Sequence, residues 1–361
     1  MTSFVFNVKP KFIFGKIIDH IYEFNGYGRT AYIITDGSSS INGALKDTLV
    51  ALDHLKIEYL IFNEVEENPS LENVCAAAQF GMASQVEFII ALGGGSVIDA
   101  AKAASILIAH NKIDTNLLFN DAENIFVPVL AVPTTFGSGS EATSSSIITV
   151  HNKRTKLSIK RRVCCEKAFL HSDYSNYLPE NVTVSTTIDV FSHFIDGYFS
   201  AKANYFTDKI AESAFMDFSK IIPLLKDRKF NDYFRETMMC LSVMGGIVIS
   251  HTRTTLPHLL GYPLTYHKHI PHGFACGLLT YEFIMFHKDK ERVKKFLNLS
   301  GFNEMSEVKN FFATECPRVL CTEDEIFEYA QIVYSEKERL SLHPYNVQFD
   351  DLIYLYKNSL Y

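Results

Sequence analysis

The amino-acid sequence predicts an α/β domain built on a parallel sheet, followed by an all-helical domain. Up to about residue 180, short apolar runs alternate with segments of helical periodicity, and beyond that point the strand-like runs fade. Strands that alternate with helices are typical of βαβ units around a buried parallel sheet. Because 361 residues are enough for two domains, we place the first at residues 1–180 and the second at residues 181–361.

The composition excludes several classes of protein. A net charge of −7 argues against a nucleic-acid-binding protein, because contacts with phosphates need a basic excess. No apolar run reaches the roughly 20 residues of a membrane-spanning helix, and the amino terminus alternates like a strand instead of resembling a signal peptide. The seven cysteines have no CxxC spacing, which is typical of reduced thiols. We therefore expect a soluble cytoplasmic protein without membrane or nucleic-acid partners.

The predicted strands of the first domain end in polar turns. The apolar runs are residues 30–35, 58–62, 86–92 and 126–132. In parallel sheets, ligands bind beyond the carboxyl ends of the strands. The turns after these strands are therefore the candidate ligand site of the first domain.

A glycine turn, Gly93-Gly94-Gly95-Ser96, separates the third of these strands from a predicted helix. Backbone N–H groups and the helix dipole at such a turn favour phosphate binding. The turn could equally be an ordinary link between strand and helix. A second turn rich in glycine and hydroxyl groups, TTFGSGSEATSSS at residues 134–146, favours a dinucleotide cradle.

Asp36 follows the first strand, at residues 30–35. A carboxylate in this place would bind a ribose diol and repel a 2′-phosphate, which favours NAD(H) over NADP(H). Alternatively, Asp36 opens a turn or caps a helix.

The second domain carries a candidate metal site. Asp189 and His193 are four residues apart on a predicted helix with apolar neighbours, so they would share a buried face. A buried carboxylate and imidazole need each other or a metal ion. His258 and His272, from the histidine-rich span 254–273, would complete a donor set for Fe²⁺ or Zn²⁺. The pair could instead share one hydrogen bond, and the span could be a solvated loop.

Six ordered motifs extend over most of the chain. They are EENPS at 66–70, GGGSVIDAAK at 93–102, PTTFGSGSEAT at 133–143, the lysine of RTKLS (Lys156), IDVFSHFIDGY at 188–198 and HLLGYPL…IPHG at 258–273. Together they resemble the iron-containing (iron-activated) alcohol dehydrogenases, whose fold is shared with dehydroquinate synthase. The resemblance implies a dehydroquinate synthase-like fold with a Rossmann-like first domain, and a homodimer or larger homo-oligomer.

The resemblance also implies the residues that bind the cofactor and the metal. The residues that would hold the pyrophosphate are Gly93, Gly94, Gly95 and Ser96. Those that would line the cleft between the adenine and nicotinamide positions are Thr134, Thr135 and Ser140. Asp99 and Lys102 would support the glycine turn or the nicotinamide ribose, and Lys156 would lie near the nicotinamide. The implied metal ligands are Asp189, His193, His258 and His272.

The chain departs from the family pattern in three places, one of which is His171-Ser172 where an Asp-Pro pair is common. Many members carry a further histidine, proposed as a proton relay, where this chain has Tyr262, and a glycine where it has Ile188. The proton route is therefore open among a ribose hydroxyl, water, Tyr262, His267 and His269. We expect Cys276 to be a small buried thiol.

These observations predict a metal-dependent NAD(P)H-linked alcohol dehydrogenase or aldehyde reductase that acts on a small aldehyde and its primary alcohol. The HxxxYPLT pattern is similar to that of phosphonoacetaldehyde reductases, which suggests a phosphonate- or phosphate-bearing aldehyde. The cations for such a group would be Arg253, Lys268, His269 and Arg339, unless these residues are simply solvated. The alternatives are an NAD-dependent lyase or cyclase of the dehydroquinate synthase type, and a non-catalytic cofactor-binding protein.

Overall fold

The computed structural model of the protein describes residues 5–120 and 125–360. The chain divides into two compact units, of which the first is Asn7–Leu178. The second begins at Pro179 and also includes the amino-terminal Phe6. Among the described residues, every helix is too short or too polar to cross a lipid bilayer.

The first unit is built on a six-stranded sheet in the order β1-β8-β5-β4-β2-β3. Its strands are β1 (Lys11–Phe14), β2 (Thr30–Thr35), β3 (Glu58–Phe62), β4 (Phe88–Gly93), β5 (Val129–Pro133) and β8 (Lys167–Leu170). All neighbouring strands in it run parallel, which confirms the predicted sheet. A separate antiparallel hairpin is formed by β6 (Ile147–Val150) and β7 (Thr155–Ser158).

Helices cover the sheet on both faces. They are α1 (Ala44–Leu55), α2 (Leu71–Met82), α3 (Gly95–Ala109) and the short α4 (Asn116–Phe119), with 3₁₀ segments at Ile17–Phe24, Gly37–Ser40, Ser140–Ala142, His151–Lys153 and Ser172–Ser175. Successive strand residues point to opposite faces: Ile34 packs in the core that contains α2 and α3, and Ile33 packs in the core that contains α1. Burial on both faces explains why these strands are continuous apolar runs instead of alternating ones.

The described part of the second unit is helical. Its helices are α5 (Glu180–Tyr198), α6 (Tyr205–Lys226), α7 (Asp232–Thr252), α8 (Leu256–Lys268), α9 (His272–Phe286), α10 (Lys290–Ser300), α11 (Met305–Glu315), α12 (Glu323–Ser335), α13 (Lys337–Leu340) and α14 (Phe349–Ser359). The predicted change from an α/β region to a helical region is therefore confirmed. Helix α5 is buried along most of its length, and the Phe191 ring anchors it 4.5 Å from that of Phe218.

Two glycines let α9 approach α5 closely. A Cβ added at Gly273 would lie 1.9 Å from the Ser185 carbonyl oxygen, and one at Gly277 would lie 2.6 Å from Ile188 Cγ2. Only glycine fits at such distances. Ile188, which stands where many members of the resembled family have glycine, thus packs against a glycine on the opposite helix. This close contact brings the first turn of α9 beside the middle of α5.

Candidate functional site

Donor side chains from α5, α8 and α9 converge at one point in the second unit. Asp189, His258, His272 and Cys276 each offer a donor atom, and these atoms lie within 4.8 Å of one another. Asp189 Oδ1 stands 3.4 Å from His258 Nε2, and both atoms are buried without a hydrogen-bond partner among the described residues. Unpaired polar atoms in this position are costly unless a ligand satisfies them.

The spacing of these two atoms fits a shared cation. Protein nitrogen and oxygen ligands lie about 2.1 Å from Zn²⁺, and two of them at a tetrahedral angle are about 3.4 Å apart. The observed separation of 3.4 Å agrees with that value. One carboxylate with neutral imidazoles is a donor set that accepts Fe²⁺ or Zn²⁺.

The other two predicted ligands border the same space. His193 Nε2 is 3.9 Å from Asp189 Oδ1, and the His193 ring stacks on that of His258 with centroids 4.7 Å apart. The His272 ring lies 5.3 Å from the His258 ring, and its Nδ1 is 3.4 Å from Thr265 Oγ1. The structure thus brings together all four residues that the sequence suggested as ligands.

Cys276 is a fifth donor at this site. It lies one helical turn beyond His272 on α9, with its Sγ 3.7 Å from His272 Nε2. The side chain is completely buried, as expected from the sequence, and burial raises the pKa of its thiol. The four-residue spacing from His272 was the feature of the sequence that could have indicated this position.

Opposite charges stabilise the ionised forms of the site. Burial by itself would raise the pKa of Asp189, but the positive charges of His193, His258 and His272 hold it below its ordinary value. Burial by itself would lower the pKa of His258, yet the carboxylates of Asp196 and Asp189 raise it well above the ordinary value. The site therefore favours a positive charge beside the Asp189 carboxylate, which a bound cation would supply.

Asp196 is a member of this site that sequence reasoning missed. Its side chain is fully buried; Thr255 Oγ1 donates a hydrogen bond to its Oδ1, and His258 Nδ1 donates one to its Oδ2. Asp196 follows Asp189 by seven residues and His193 by three on α5. That spacing, which places all three on one helix face, was the available indication.

The three candidates for the proton route occupy different surroundings. The Tyr262 ring stacks on His272, with centroids 5.5 Å apart. His267 instead stacks on Tyr329 of α12 at 5.0 Å. His269 is exposed and has a left-handed backbone (φ 53°) at the end of α8. Of the three, Tyr262 is in ring contact with a predicted metal ligand.

In the first unit, the two glycine-rich turns pack against each other. Strand β4 ends at Gly93 and helix α3 begins at Gly95, so the N–H groups of the first turn of α3 lie at this strand end. A Cβ added at Gly94 would lie 3.1 Å from Thr135 Oγ1, and one at Gly95 would lie 2.3 Å from Ser138 Oγ. Thr134 Oγ1 is buried without a hydrogen-bond partner among the described residues. The result is a cradle of backbone and hydroxyl groups that suits a pyrophosphate.

Two charged residues of α3 hold the second turn of this cradle. The buried Lys102 Nζ donates to the carbonyl oxygens of Ser140 (2.6 Å), Thr143 (3.0 Å) and Ser145 (2.9 Å). Asp99 Oδ1 accepts a 2.5 Å hydrogen bond from Ser140 Oγ. The structure therefore joins the partly buried Asp99 and the buried Lys102 and Ser140 in one hydrogen-bond network beneath the turn, where they shape the backbone.

Asn68 joins two of the predicted cofactor-binding residues and was missed by the sequence analysis. Its backbone N–H donates to Ser96 Oγ at 3.1 Å, and its Oδ1 accepts from Lys156 Nζ at 2.8 Å. The left-handed backbone of Asn68 (φ 55°) makes this double contact possible. The indications in the sequence were the EENPS motif at residues 66–70 and, within it, the Asn68-Pro69 dipeptide, which is typical of turns.

Asp36 lies at the carboxyl end of β2 and caps the 3₁₀ segment that follows. Its Oδ1 accepts hydrogen bonds from the backbone N–H of Ser38 at 2.9 Å and from Ser38 Oγ at 2.5 Å. The turn-opening role considered for this residue is therefore present in the structure. Strand β2 runs parallel to its neighbour β4. The Asp36 carboxylate therefore lies beyond the carboxyl ends of the strands, on the same side of the sheet as the glycine turn that follows β4.

Two family models match the chain. One, described as iron-containing alcohol dehydrogenase, matches residues 10–172. The other, described as the carboxy-terminal part of the Fe-containing alcohol dehydrogenase family, matches residues 183–358. Together they cover both units.

Solved structures and a curated relative agree with these matches. An iron-containing alcohol dehydrogenase from Thermotoga maritima is 30% identical, with a TM-score of 0.89 over 99% of both chains. Sulfoacetaldehyde reductase from Bifidobacterium kashiwanohense, solved in complex with NAD⁺, is 25% identical, with a TM-score of 0.83 over 100% of this chain and 99% of the other. Sulfoacetaldehyde reductase from Bilophila wadsworthia is 29% identical over 69% of this chain, and that match spans 65% of the relative's length.

Proposed function

Because the chain belongs to the iron-containing alcohol dehydrogenase family, we propose that it is a metal-dependent, NAD(H)-linked alcohol dehydrogenase or aldehyde reductase. The observation that carries the proposal is the pair of buried, unsatisfied atoms Asp189 Oδ1 and His258 Nε2, 3.4 Å apart. A cation bound between the two atoms would satisfy both of them and remove this cost.

Asp189, His193, His258 and His272 would hold one divalent cation, Fe²⁺ or Zn²⁺. Bound there, the cation would act as a Lewis acid that polarises the carbonyl of an aldehyde for hydride transfer from NADH. The burial of Asp189, His193 and His258, each less than a tenth exposed, excludes water from their side of the site. Low local polarity strengthens the interactions made there.

The cradle in the first unit would bind the dinucleotide. Gly93, Gly94, Gly95 and Ser96 would hold its pyrophosphate at the N-terminus of α3, beside Thr134 and Thr135. Asp36, at the same sheet edge, favours the ribose diol of NAD(H) over the 2′-phosphate of NADP(H). The NAD⁺ complex of the Bifidobacterium kashiwanohense relative supports this assignment.

For the proton that the alcohol product gains, we propose Tyr262 as the side chain involved, in preference to His267 or His269. Its ring contact with His272 supports this choice. If instead Tyr262→Phe, His267→Ala and His269→Ala each retain most of the reduction rate, the proton comes from a ribose hydroxyl or water.

The substrate we propose is a short aldehyde with an anionic tail. Of the cations considered, Arg253 pairs with Glu338 and Lys268 pairs with Glu325, each at 2.6 Å. Arg339 has no carboxylate partner among the described residues; its guanidinium lies over the Tyr262 ring, 4.9 Å from the centroid, and donates to Thr254 Oγ1 at 2.7 Å. This half-buried guanidinium without a carboxylate partner lies over the Tyr262 ring, which itself contacts the proposed ligand His272. Such a group is suited to binding a sulfonate, phosphonate or phosphate.

For the assembly, we propose a homodimer or larger homo-oligomer in the cytoplasm. The family resemblance supports it, as does the position of β1 at an edge of the sheet, where its exposed Phe14 and open backbone could pair with another copy. Sedimentation at several concentrations tests this part, and a single monomeric species throughout would contradict it.

NADH oxidation by protein reconstituted anaerobically with Fe²⁺ or Zn²⁺ tests the proposed activity. The aldehyde panel would contain sulfoacetaldehyde, phosphonoacetaldehyde, sugar-derived aldehydes and neutral aldehydes of matched length, with NADPH run in parallel. We expect turnover that requires metal and is lost in His272→Ala. A lyase or cyclase would regenerate its cofactor and consume no net NADH, and a non-catalytic protein would bind NAD and metal without any turnover.

A further inference from the structure

Asp196 is a buried carboxylate whose two oxygens each accept a hydrogen bond. Its Oδ1 accepts from Thr255 Oγ1 and its Oδ2 accepts from His258 Nδ1, and its side chain has no exposed surface. No lysine or arginine pairs with it in the described part of the chain. A buried carboxylate needs a compensating positive charge, which a protonated His258 or a cation bound beside His258 would supply.

We propose that Asp196 is the positioning residue of the metal centre, and that it prepares His258 to bind a divalent cation. An imidazole that donates its Nδ1–H to a carboxylate keeps a free electron pair on Nε2. The same hydrogen bond fixes the rotation of the ring. In this structure, the ring held in this way directs Nε2 toward Asp189 Oδ1, at 3.4 Å.

The charges of the cluster support the same inference. Asp189 and Asp196 contribute two negative charges, whereas His193, His258 and His272 can bind a cation only as neutral imidazoles. One divalent cation brings the sum to zero. Without the charge of Asp196, the same cation would leave one buried positive charge uncompensated, which weakens its binding.

Thr255 completes this arrangement from the start of α8. It is the residue before the first turn of α8, but its hydroxyl does not cap the helix and is given to Asp196 instead. The hydrogen bond leaves the carboxylate with a defined orientation, because one oxygen faces Thr255 and the other faces His258. A buried carboxylate without this second donor could rotate away from the imidazole.

The inference rests on the metal centre proposed above and is independent of which aldehyde is the substrate. It is tested by measuring Zn²⁺ and Co²⁺ affinity through chelator competition in wild type, Asp196→Asn and Thr255→Val, together with the visible absorption of the Co²⁺ form. Asp208→Asn is the matched control, because Asp208 of α6 is a carboxylate of the same unit that pairs with Arg292 at 2.5 Å.

We expect Asp196→Asn to weaken Zn²⁺ affinity by about 10- to 100-fold and to shift the Co²⁺ absorption bands, with a smaller loss in Thr255→Val and no change in Asp208→Asn. If Asp196→Asn lowers only the melting temperature of the metal-free protein, with wild-type affinity and spectrum, Asp196 has a structural role and the inference is wrong. If wild type itself binds neither metal, the proposed metal centre also fails. Should Asp196→Asn not fold, wild-type affinity in Thr255→Val would overturn the inference.

Discussion

Five side chains offer donor atoms at the proposed metal site, although a catalytic site of this type needs fewer. His193 and Cys276 are the two whose roles must be separated, because Cys276, but not His193, groups with Asp189, His258 and His272 by the mutual distances of the donor atoms. His193 nevertheless stacks on His258 and faces Asp189 Oδ1. We propose that His193, as an imidazole in contact with both Asp189 and His258, is a ligand, and that Cys276 is a neighbouring thiol.

This assignment predicts opposite results for two alanine variants. His193→Ala removes an imidazole ligand and should weaken Zn²⁺ binding by more than about 100-fold. This exceeds the loss of about 10- to 100-fold that is typical when a residue hydrogen-bonded to a ligand is removed. Cys276→Ala removes a buried thiol and should keep near wild-type affinity. Chelator competition measures the Zn²⁺ affinity of both variants. If Cys276→Ala loses more affinity than His193→Ala, Cys276 is the ligand.

Arg339 is the residue on which the proposed substrate class depends. Arg339→Met removes the unpaired guanidinium, and a lost hydrogen bond to a charged group costs about 1.5–3 kcal/mol. We therefore expect kcat/KM for sulfoacetaldehyde or phosphonoacetaldehyde to fall about 10- to 100-fold, with that for a neutral aldehyde of the same length nearly unchanged.

Lys268→Met is the matched control for this experiment, because Lys268 is already paired with Glu325. It should leave the preference for anionic aldehydes as it is. Equal losses on anionic and neutral aldehydes in Arg339→Met would mean that Arg339 supports Tyr262 and Thr254 without recognising the tail.

At the scale of residues, the sequence indicated which side chains could act as donors better than it indicated which residues they contact. The spacing of Asp189 and His193 predicts a shared helix face, and the histidines near residue 260 suggest further donors. Neither Asp196 nor Asn68 was predicted, because their importance comes from partners distant in sequence: Asp196 bonds to His258 across 62 residues, and Asn68 bonds to Lys156 across 88.

At the scale of elements, the contact between α5 and α9 positions the proposed ligands Asp189 and His272. It depends on Gly273, where a Cβ would meet the Ser185 carbonyl oxygen at 1.9 Å. Gly273→Ala should therefore lower the free energy of unfolding by at least about 2 kcal/mol, as overpacking does, and should displace His272 enough to weaken metal binding. Denaturant titration and chelator competition test the two effects.

Gly245 provides the control for this substitution. It lies inside α7, and the nearest atoms to a Cβ there are 3.6 Å away, which is ordinary contact. Gly245→Ala should be neutral or stabilising by up to about 1 kcal/mol, since alanine is the better helix former. A Gly273→Ala variant as stable as Gly245→Ala would show that α9 can shift without cost.

The cradle of the first unit contains an ionisable group whose burial makes stability depend on pH. Burial raises the pKa of Glu141 from its ordinary 4.5 to about 7, and its Oε1 has no hydrogen-bond partner among the described residues. A carboxyl group with a raised pKa in the folded state costs nothing below pH 4.5. It becomes increasingly destabilising as the pH rises toward 7, and above pH 7 the full cost remains.

Glu141→Gln should remove this dependence. Without cofactor, the variant should exceed wild type in stability by an amount that grows by on the order of 2 kcal/mol between about pH 5 and about pH 8. Urea titrations at both pH values measure it. A difference that does not change with pH would mean that Glu141 ionises normally in the folded protein.

At the scale of the whole molecule, the sequence predicted the fold class and the change from a parallel sheet to helices, and both are confirmed. Continuous apolar strands with glycine or polar turns are a strong local pattern, so β2 and β3 were predicted at their observed bounds. The β6–β7 hairpin was not predicted, because each of its strands has four residues and its sequence has mixed polarity. The packing of α9 on α5 was also beyond prediction, because it depends on which residue faces each glycine.

The central claim is that one divalent cation, held by Asp189 and the three histidines, is required for NADH-linked aldehyde reduction. It is tested most directly by titrating metal-free protein with Zn²⁺, or anaerobically with Fe²⁺, while NADH oxidation is followed with an aldehyde that supports turnover. We predict that the rate rises from near zero and saturates at one metal ion per chain, and that His258→Ala remains inactive throughout. The account would be contradicted by full activity in the metal-free protein. It would also be contradicted if the rate of His258→Ala rose with added metal as it does in wild type.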